Sequence, residues 1–521
     1  MRFLPVNLDA VLVELDDLPQ TLALLAALQA APVHGIEELV PAARTLLIRY
    51  RPAALSRGEL QAWVAARVGS SAAARPTARI EIPVDYSGED IDEVAAMLGI
   101  SRAELVRRHT GSDYTVAFTG FAPGFAYLSG GHASLNVPRR TTPRTRIPAG
   151  AVGLAGQFSG VYPQSSPGGW QIIGVTATPM WDLARAVPAL LQPGFSVRFV
   201  DAGPQQRAEL VASARSAVLT DGPRLDVLAT GLQALFQDLG RHGHAGQGVS
   251  ASGAMDRAAL RAANRLVGNA SDAGCIEALL GGLSLRCHGN VVLAVTGTDA
   301  VIDIISASGV RSTWPSHQPL ALNDGDRLTL AAPRAGIRSY LAVRGGFAVQ
   351  PVLGSCSTDT LANLGPPPIA AGDVIGIHAV TRGGIVGFAE EAPPELPTAA
   401  KEVTLDVVMG PRTDWFTPEA VAWLTRQAWA VTPQSNRVGL RLHGADALTR
   451  SNSAELPSEG TVLGAIQVPP SGQPVLFMAD HPLTGGYPVI AAVALHHLDL
   501  AGQIPVGATI RFNPIRAFDP L

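Results

Sequence analysis

Glycine and proline interrupt the apolar runs of this chain from end to end: 54 glycines and 40 prolines are spread through 521 residues without forming a low-complexity tract. Neither residue sits well inside a long helix or a central strand, so the pattern dictates many short strands joined by turns. Apolar residues make up 47% of the chain and charged residues 16%, which is ample material for packed cores. The length exceeds that of one ordinary domain and is expected to divide into three or four.

A formal net charge of −4 argues against nucleic-acid binding, which calls for a basic face. No apolar stretch reaches the roughly 18 uninterrupted residues of a membrane span. The opening Met1-Arg2-Phe3-Leu4-Pro5 soon meets Asp9 and Asp16-Asp17, whereas a secretory leader needs an unbroken apolar stretch. Cys275, Cys287 and Cys356 are odd in number and not spaced as metal ligands. A cytoplasmic protein with no nucleic-acid or membrane partner is expected.

Lys401 is the only lysine; arginine carries the rest of the positive charge. No Gly-x-x-x-x-Gly-Lys-Ser/Thr loop exists, which excludes a P-loop nucleotidase. Lys401 stands in Pro397-Thr398-Ala399-Ala400-Lys401-Glu402, unlike the Ala-Met-Lys-Met-type hairpin that carries biotin, so no biotin is expected on this chain.

Residues 1–72 read as a small α/β cap, with strand-like runs at 10–15 and 45–50 and helical runs at 22–31 and 59–68. Residues 77–203 form a second region, where 90–98 and 101–109 read as helices. Ser101 and Glu104 are spaced as a capping box there. Residues 204–221 read as a polar, Ala-rich, helical linker. Short strands dominate 222–390 and 402–521, which a Pro/Glu-rich stretch divides. Pro167-Gly168-Gly169-Trp170 and Thr484-Gly485-Gly486-Tyr487 echo one another, as duplicated β-barrel units would.

Several stretches carry residue types suited to chemistry. Arg139, Arg140, Arg144 and Arg146 follow an aromatic Gly/Pro loop, Phe118 to Leu128, and form either an anion site or a solvated basic hairpin. Asp238, Arg241, Asp256 and Glu277 mark the second half. Ser252 to Asp256 precedes a helix over 256–267 whose N-terminus favours anions, with Asp256 alternatively a plain N-cap. His242 and His244 lack a third ligand, so no metal site is expected. Arg437, Glu459, Gln467 and Asp480 would orient a small amide and shuttle a proton, or form a structural ion-pair network.

Taken together the motifs resemble a known pair of families, the two small subunits of bacterial 5-oxoprolinase, which carry the letters B and C. Gly120-Phe121-Ala122-Pro123-Gly124-Phe125-Ala126-Tyr127-Leu128, the Pro138-Arg139 to Gly150 run and Ser166-Pro167-Gly168-Gly169-Trp170 resemble the B-type subunit. Gln237-Asp238-Leu239-Gly240-Arg241, Ser252-Gly253-Ala254-Met255-Asp256, Ser435-Asn436-Arg437-Val438-Gly439 and Thr484-Gly485-Gly486-Tyr487-Pro488 resemble the C-type subunit. The chain is thus similar to the B and C subunits fused end to end. The same families include the carboxyltransferase region of urea amidolyase, often labelled allophanate hydrolase, and the Kip kinase-inhibitor pair. Ala251 stands where the family usually has Pro, and Cys356 where Arg or Thr is common.

The resemblance implies a mainly β fold with α+β parts and cyclophilin-like β-barrels in both halves. It implies ATP-driven opening of 5-oxoproline to glutamate with a separate third subunit, ATP being a cosubstrate whose site no motif reveals. The alternatives are a carboxyltransferase working with a biotin carboxylase and carrier, neither of which appears here, and a kinase-inhibitory binding module. On this footing Asp238, Arg241, Asp256, Arg344, Arg437, Glu459 and Asp480 are expected to line the second-half cleft, with Gln467 beside them. Arg139 and Arg144 would line the first. Arginines would hold the substrate carboxylate or phosphate, and Glu459 or Asp480 would act as base. Fusion fixes the stoichiometry of the halves and raises the effective concentration of each for the other; self-association into a homo-oligomer is compatible with the sequence.

Overall fold

A computed structural model describes residues 1–69, 78–140, 142, 144–203, 222–380, 384–393 and 395–520. The expected helical linker at 204–221 lies outside them, as does most of the Ser/Ala-rich stretch after residue 69.

The N-terminal cap is one antiparallel sheet in the order Arg2–Asn7, Ala10–Glu14, Thr45–Tyr50, Ile36–Pro41. The sequence showed two of these strands; the outer pair is disguised by Pro5 and by the polar Glu37 and Glu38. Two helices flank the sheet. Leu18–Ala30 starts at Asp17, whose side chain accepts from Gln20 N, and Arg57–Ala65 opens on a full Ser56/Glu59 capping box. The run Ala10-Val11-Leu12-Val13 does not alternate because both faces of the sheet are buried. Val11, Val13, Leu46 and Ile48 pack on the cap's helices. Leu4, Val6, Leu12 and Leu47 pack against Val475, Phe477, Val489 and Ala492 at the far end of the chain.

Seven strands follow in the order Gln171–Val175, Ala151–Ala155, Phe158–Val161, Ala126–Ser129, Asp113–Thr119, Ser196–Asp201, Arg79–Val84. The ring closes through one further bridge, in which Asp85 and Val175 exchange two backbone hydrogen bonds of 2.8 Å. Helices Ile91–Leu98 and Arg102–Thr110 cover it. Ser101 caps the second by accepting from Glu104 N, but the Glu104 carboxylate turns to Arg107 and Arg108 instead of completing the box.

The C-terminal barrel, Glu402–Met409, Val489–Val493, Ala465–Gln467, Val475–Phe477, Gly439–His443, Trp429–Val431, Thr509–Arg516, is fully closed. Matched by chain order, its strands run round the ring in the same sequence as those of the first barrel. In each ring the first and last strands pair in parallel. Each barrel also carries a two-stranded side hairpin: Arg144–Ile147 with Ser166–Gly168, and Glu459–Gly460 with Thr484–Gly485. The two echoing Gly-Gly segments therefore occupy one place in two copies of one topology.

Between the barrels, a six-stranded and a five-stranded antiparallel sheet pack face to face over Leu225, Leu285, Leu328, Ile276, Leu293 and Leu341. Helix Arg257–Val267 lies on the outer face of the five-stranded sheet, burying Leu260, Ala263 and Val267 against Ala294, Tyr340 and Ala342. Among the described residues no helix is long and apolar enough to cross a membrane.

Candidate functional site

Where the cap, the sandwich helix and the C-terminal barrel converge, they enclose a cavity of about 350 Å³. The cap supplies Asp9, Glu37, Glu38 and Arg49 to its wall. The sandwich supplies Ser252, Arg257 and Arg261, and the barrel His481 and Asp499. An adjoining space of about 270 Å³ shares Glu37, Glu38, Arg49 and Arg257 and adds His242. Neither half encloses this cavity alone.

The floor is held by a buried ionic cluster. Arg437 grips Asp480 with two hydrogen bonds of 3.0 Å, reaches Glu277 at 2.5 Å and donates to Gly253 O at 2.7 Å. Ser252 Oγ and the Thr360 backbone and hydroxyl donate to Asp480 at 2.6, 2.9 and 2.7 Å. Burial alone would raise the pKa of Asp480; Arg437 beside it outweighs this and keeps it low. Ser252 sits at φ 56°, a strained conformation that aims its hydroxyl at the carboxylate. Glu277 accepts from Tyr340 Oη at 2.7 Å, and that hydroxyl in turn accepts from Asp256 N at 2.8 Å.

Asp256 caps the helix by accepting from Ala259 N at 2.8 Å, and takes a second bond from Gln503 Nε2 at 2.8 Å. Burial, aided by nearby Asp499, pushes its pKa up to about 7. The helix's remaining N-terminal donors are claimed by Asp499 of the C-terminal barrel, which accepts from Arg257 N at 2.8 Å and Ala258 N at 3.2 Å. The anion at this helix terminus is thus supplied by the chain itself.

Other expected site residues are likewise engaged by the chain's own groups. Asp238 accepts from Ser355 Oγ, Cys356 N and Ser357 Oγ at 2.7, 2.6 and 2.6 Å, which fixes a sandwich loop. Arg241 donates to the backbone oxygens of Ser357 and Val352 but leaves buried Nη1 without a partner. Arg344 binds Val267 O at 2.9 Å and Gly384 O at 3.0 Å, closing the C-terminal end of the helix. Glu459 stands apart from the cavity, clasped by Arg412, which also reaches Glu14 of the cap at 2.8 Å. Gln467 donates to Tyr487 O at 3.2 Å. The geometry unites Asp256, Arg437 and Asp480 through Glu277 and Tyr340, and sets Glu459, Gln467 and Arg344 elsewhere.

In the first barrel, Arg140 and Arg144 converge on Asp90, at 2.8 Å for Arg140 and at 2.9 and 2.6 Å for Arg144. Arg139 has only a distant partner, Glu455 at 4.0 Å. It is half exposed and lines a pocket of about 130 Å³ walled by Phe121, Phe125, Tyr127, Tyr162 and Trp170.

Sequence reading missed Arg257, Arg261 and His481. An Arg pair at i, i+4 directly after a capping Asp was the available signal for the first two. His481 lines the cavity, its Nδ1 lies 2.9 Å from Pro482 O, and burial lowers its pKa to about 4. Asp406, His496 and His497 cluster like metal ligands, but Asp406 N donates to His497 Nδ1 at 2.8 Å and Asp406 Oδ2 pairs with His496 Nε2 at 2.9 Å.

Two duplicated barrels, joined by a sandwich and closed by a cap, define a carboxyltransferase-type architecture. The family model "Carboxyltransferase domain, subdomain A and B" matches residues 247–514, and "subdomain C and D" matches 1–191. The chain belongs to this family. It is homologous to both small subunits of 5-oxoprolinase, as a protein in which the two are fused would be. The 5-oxoprolinase C subunit of Escherichia coli K12 is 36% identical over 291 residues, covering 55% of this chain and 90% of that one. The B subunit of Escherichia coli O157:H7 is 49% identical over 134 residues, covering 25% and 62%. Urea amidolyase of Saccharomyces cerevisiae is 33% identical over 312 residues, covering 56% of this chain but 16% of its own length. The crystal structure of TTHA0988 superposes with a TM-score of 0.83 at 35% identity, covering 97% of this chain and 99% of that one.

Proposed function

We propose that the chain is the fused B–C component of a cytoplasmic, ATP-dependent 5-oxoprolinase and opens 5-oxoproline to glutamate together with a third subunit on a separate chain. The observation that carries this reading is the composite cavity, because an enzyme that needs both subunits needs a site that both build. Its volume of about 350 Å³ accommodates a five-membered lactam with room for a reacting group. Ser252 already donates its proton to Asp480, so toward a ligand its oxygen can only accept; a lactam N–H is such a donor. His481, neutral at physiological pH, offers a nitrogen for proton transfer. ATP supplies the phosphoryl group that activates the amide oxygen. Cys275, Cys287 and Cys356 are free thiols, which suits a reducing compartment.

The test is release of glutamate and ADP from 5-oxoproline and ATP by the chain alone and with the third subunit. Turnover in the mixture is expected. The family model and the urea amidolyase relative favour a second reading, a carboxyltransferase served by biotin on another chain. Absence of 5-oxoproline turnover together with biotin-dependent carboxylation of urea would select it.

A further inference from the structure

Every arginine expected from sequence to hold an anion is engaged by the chain itself, Arg139 only through a 4.0 Å pair with Glu455. The composite cavity contains two that are not. Among the described residues the guanidinium of Arg257 makes no hydrogen bond or ion pair, and its Nε is buried without a partner. Arg261, one helical turn on and lining the same space, is exposed and likewise makes no hydrogen bond or ion pair among the described residues. A guanidinium left unmatched below the surface carries a large desolvation cost unless a ligand completes it.

The acids around the cavity do not complete it. Glu37 and Glu38 lie at 3.2 and 3.7 Å from Arg49. Asp499 is turned onto the helix N–H groups at 2.8 and 3.2 Å. Asp9, like Asp499, acts on Arg257 through space but forms no hydrogen bond or ion pair with its guanidinium among the described residues. His242, in the adjoining space, bonds Leu239 O at 3.1 Å. The positive charge of Arg257 and Arg261 is therefore directed at the cavity.

We infer that Arg257, backed by Arg261, is the oxyanion-binding element of the composite cavity, and that its occupant is the carboxylate of the lactam substrate. The occupant's identity rests on the proposed function; the oxyanion site stands on the two free guanidinium groups. The carboxylate on Arg257 and the neighbouring ring N–H on Ser252 would fix the lactam at two adjacent positions of its ring. This orientation distinguishes 5-oxoproline from neutral amides.

The experiment is calorimetric titration of the full chain with 5-oxoproline, with 2-pyrrolidinone (the same ring without the carboxylate) and with inorganic phosphate. Arg257→Gln, Arg257→Lys and Arg261→Gln are titrated alongside. Arg261 is exposed, so its variant folds even if substitution at Arg257 disturbs the helix start. The expected result is binding of 5-oxoproline that weakens roughly tenfold or more in Arg257→Gln, less in Arg261→Gln, and recovers in part in Arg257→Lys. Binding of 2-pyrrolidinone should be weaker and indifferent to all three. Equal 5-oxoproline affinity in wild type and Arg257→Gln overturns the site. Arg257-dependent binding of phosphate without 5-oxoproline binding keeps the oxyanion site and overturns its assignment to a substrate carboxylate. If the complete enzyme fails to turn over 5-oxoproline while the oxyanion site still binds phosphate, the proposed function falls and the site does not.

Discussion

Arg437 Nη1 stands 2.5 Å from Glu277 Oε1, joining the C-terminal barrel to the sandwich through two side chains that are both buried. The same guanidinium holds Asp480, so one cation neutralises carboxylates from two domains. Replacing Arg437 with Ala strands Asp480 and leaves Glu277 with only the Arg338 cation, 3.7 Å away. The expected loss is about 3–5 kcal/mol, read as a lowered denaturant midpoint. A midpoint within error of wild type would show that the cluster does not hold the domains together.

His109 is buried in the first barrel, with Tyr86 Oη 2.7 Å from Nδ1, Ser159 Oγ 2.9 Å from Nε2 and Phe199 stacked at 4.3 Å. Burial lowers its pKa to about 3. The unfolded chain therefore binds a proton near pH 6.5 that the folded chain refuses. Stability from this group is complete above pH 6.5 and is lost as pH falls from there toward 3. His109→Gln should lose about 2 kcal/mol less than wild type between pH 7 and pH 5, measured by urea unfolding.

Ser252 lines the cavity, and removal of its hydroxyl leaves Arg437 and Thr360 still on Asp480. Ser252→Ala should cut kcat/KM of the complete enzyme about tenfold while costing only about 1 kcal/mol of stability. Glu459 answers to Arg412, so Glu459→Gln is expected to affect stability far more than turnover. Unchanged turnover in Ser252→Ala would remove that hydroxyl from the site.

Gly460 lies against the cap: a Cβ there would meet Leu47 Cβ at 2.6 Å. Gly460→Val should displace the cap and destabilise by about 1–3 kcal/mol. If the chain is cut between residues 203 and 222, the two pieces should co-elute through the apolar cap–barrel contact. The same cut in Gly460→Val should release them, as size-exclusion chromatography would show.

Much of this was legible in the sequence, and the illegible part has a consistent cause. Helix 257–267 and its Asp256 cap follow from local pattern, and so does the duplicated Gly-Gly echo. The strand-like run at 10–15 folds as a strand, but no local pattern revealed that its second face would meet Val475 and Phe477. Arg140 and Arg144 read as either an anion site or a solvated basic hairpin; the structure turns both onto Asp90, some fifty residues upstream. Spacing identifies residues able to hold a charge. Only tertiary contact decides whether that charge is already in the chain.

A barrel present twice in one chain, strand for strand, is the mark of a copied gene whose halves have since diverged. The first copy keeps an open aromatic hollow beside Gly168, with Arg139 at its rim. At the matching place in the second, Gln467 presses on Gly485, where a Cβ would meet its Nε2 at 2.5 Å. That copy has given its outer surface to the cap. One descendant retained an open hollow, and the other became the fastening on which its sibling's domain rests.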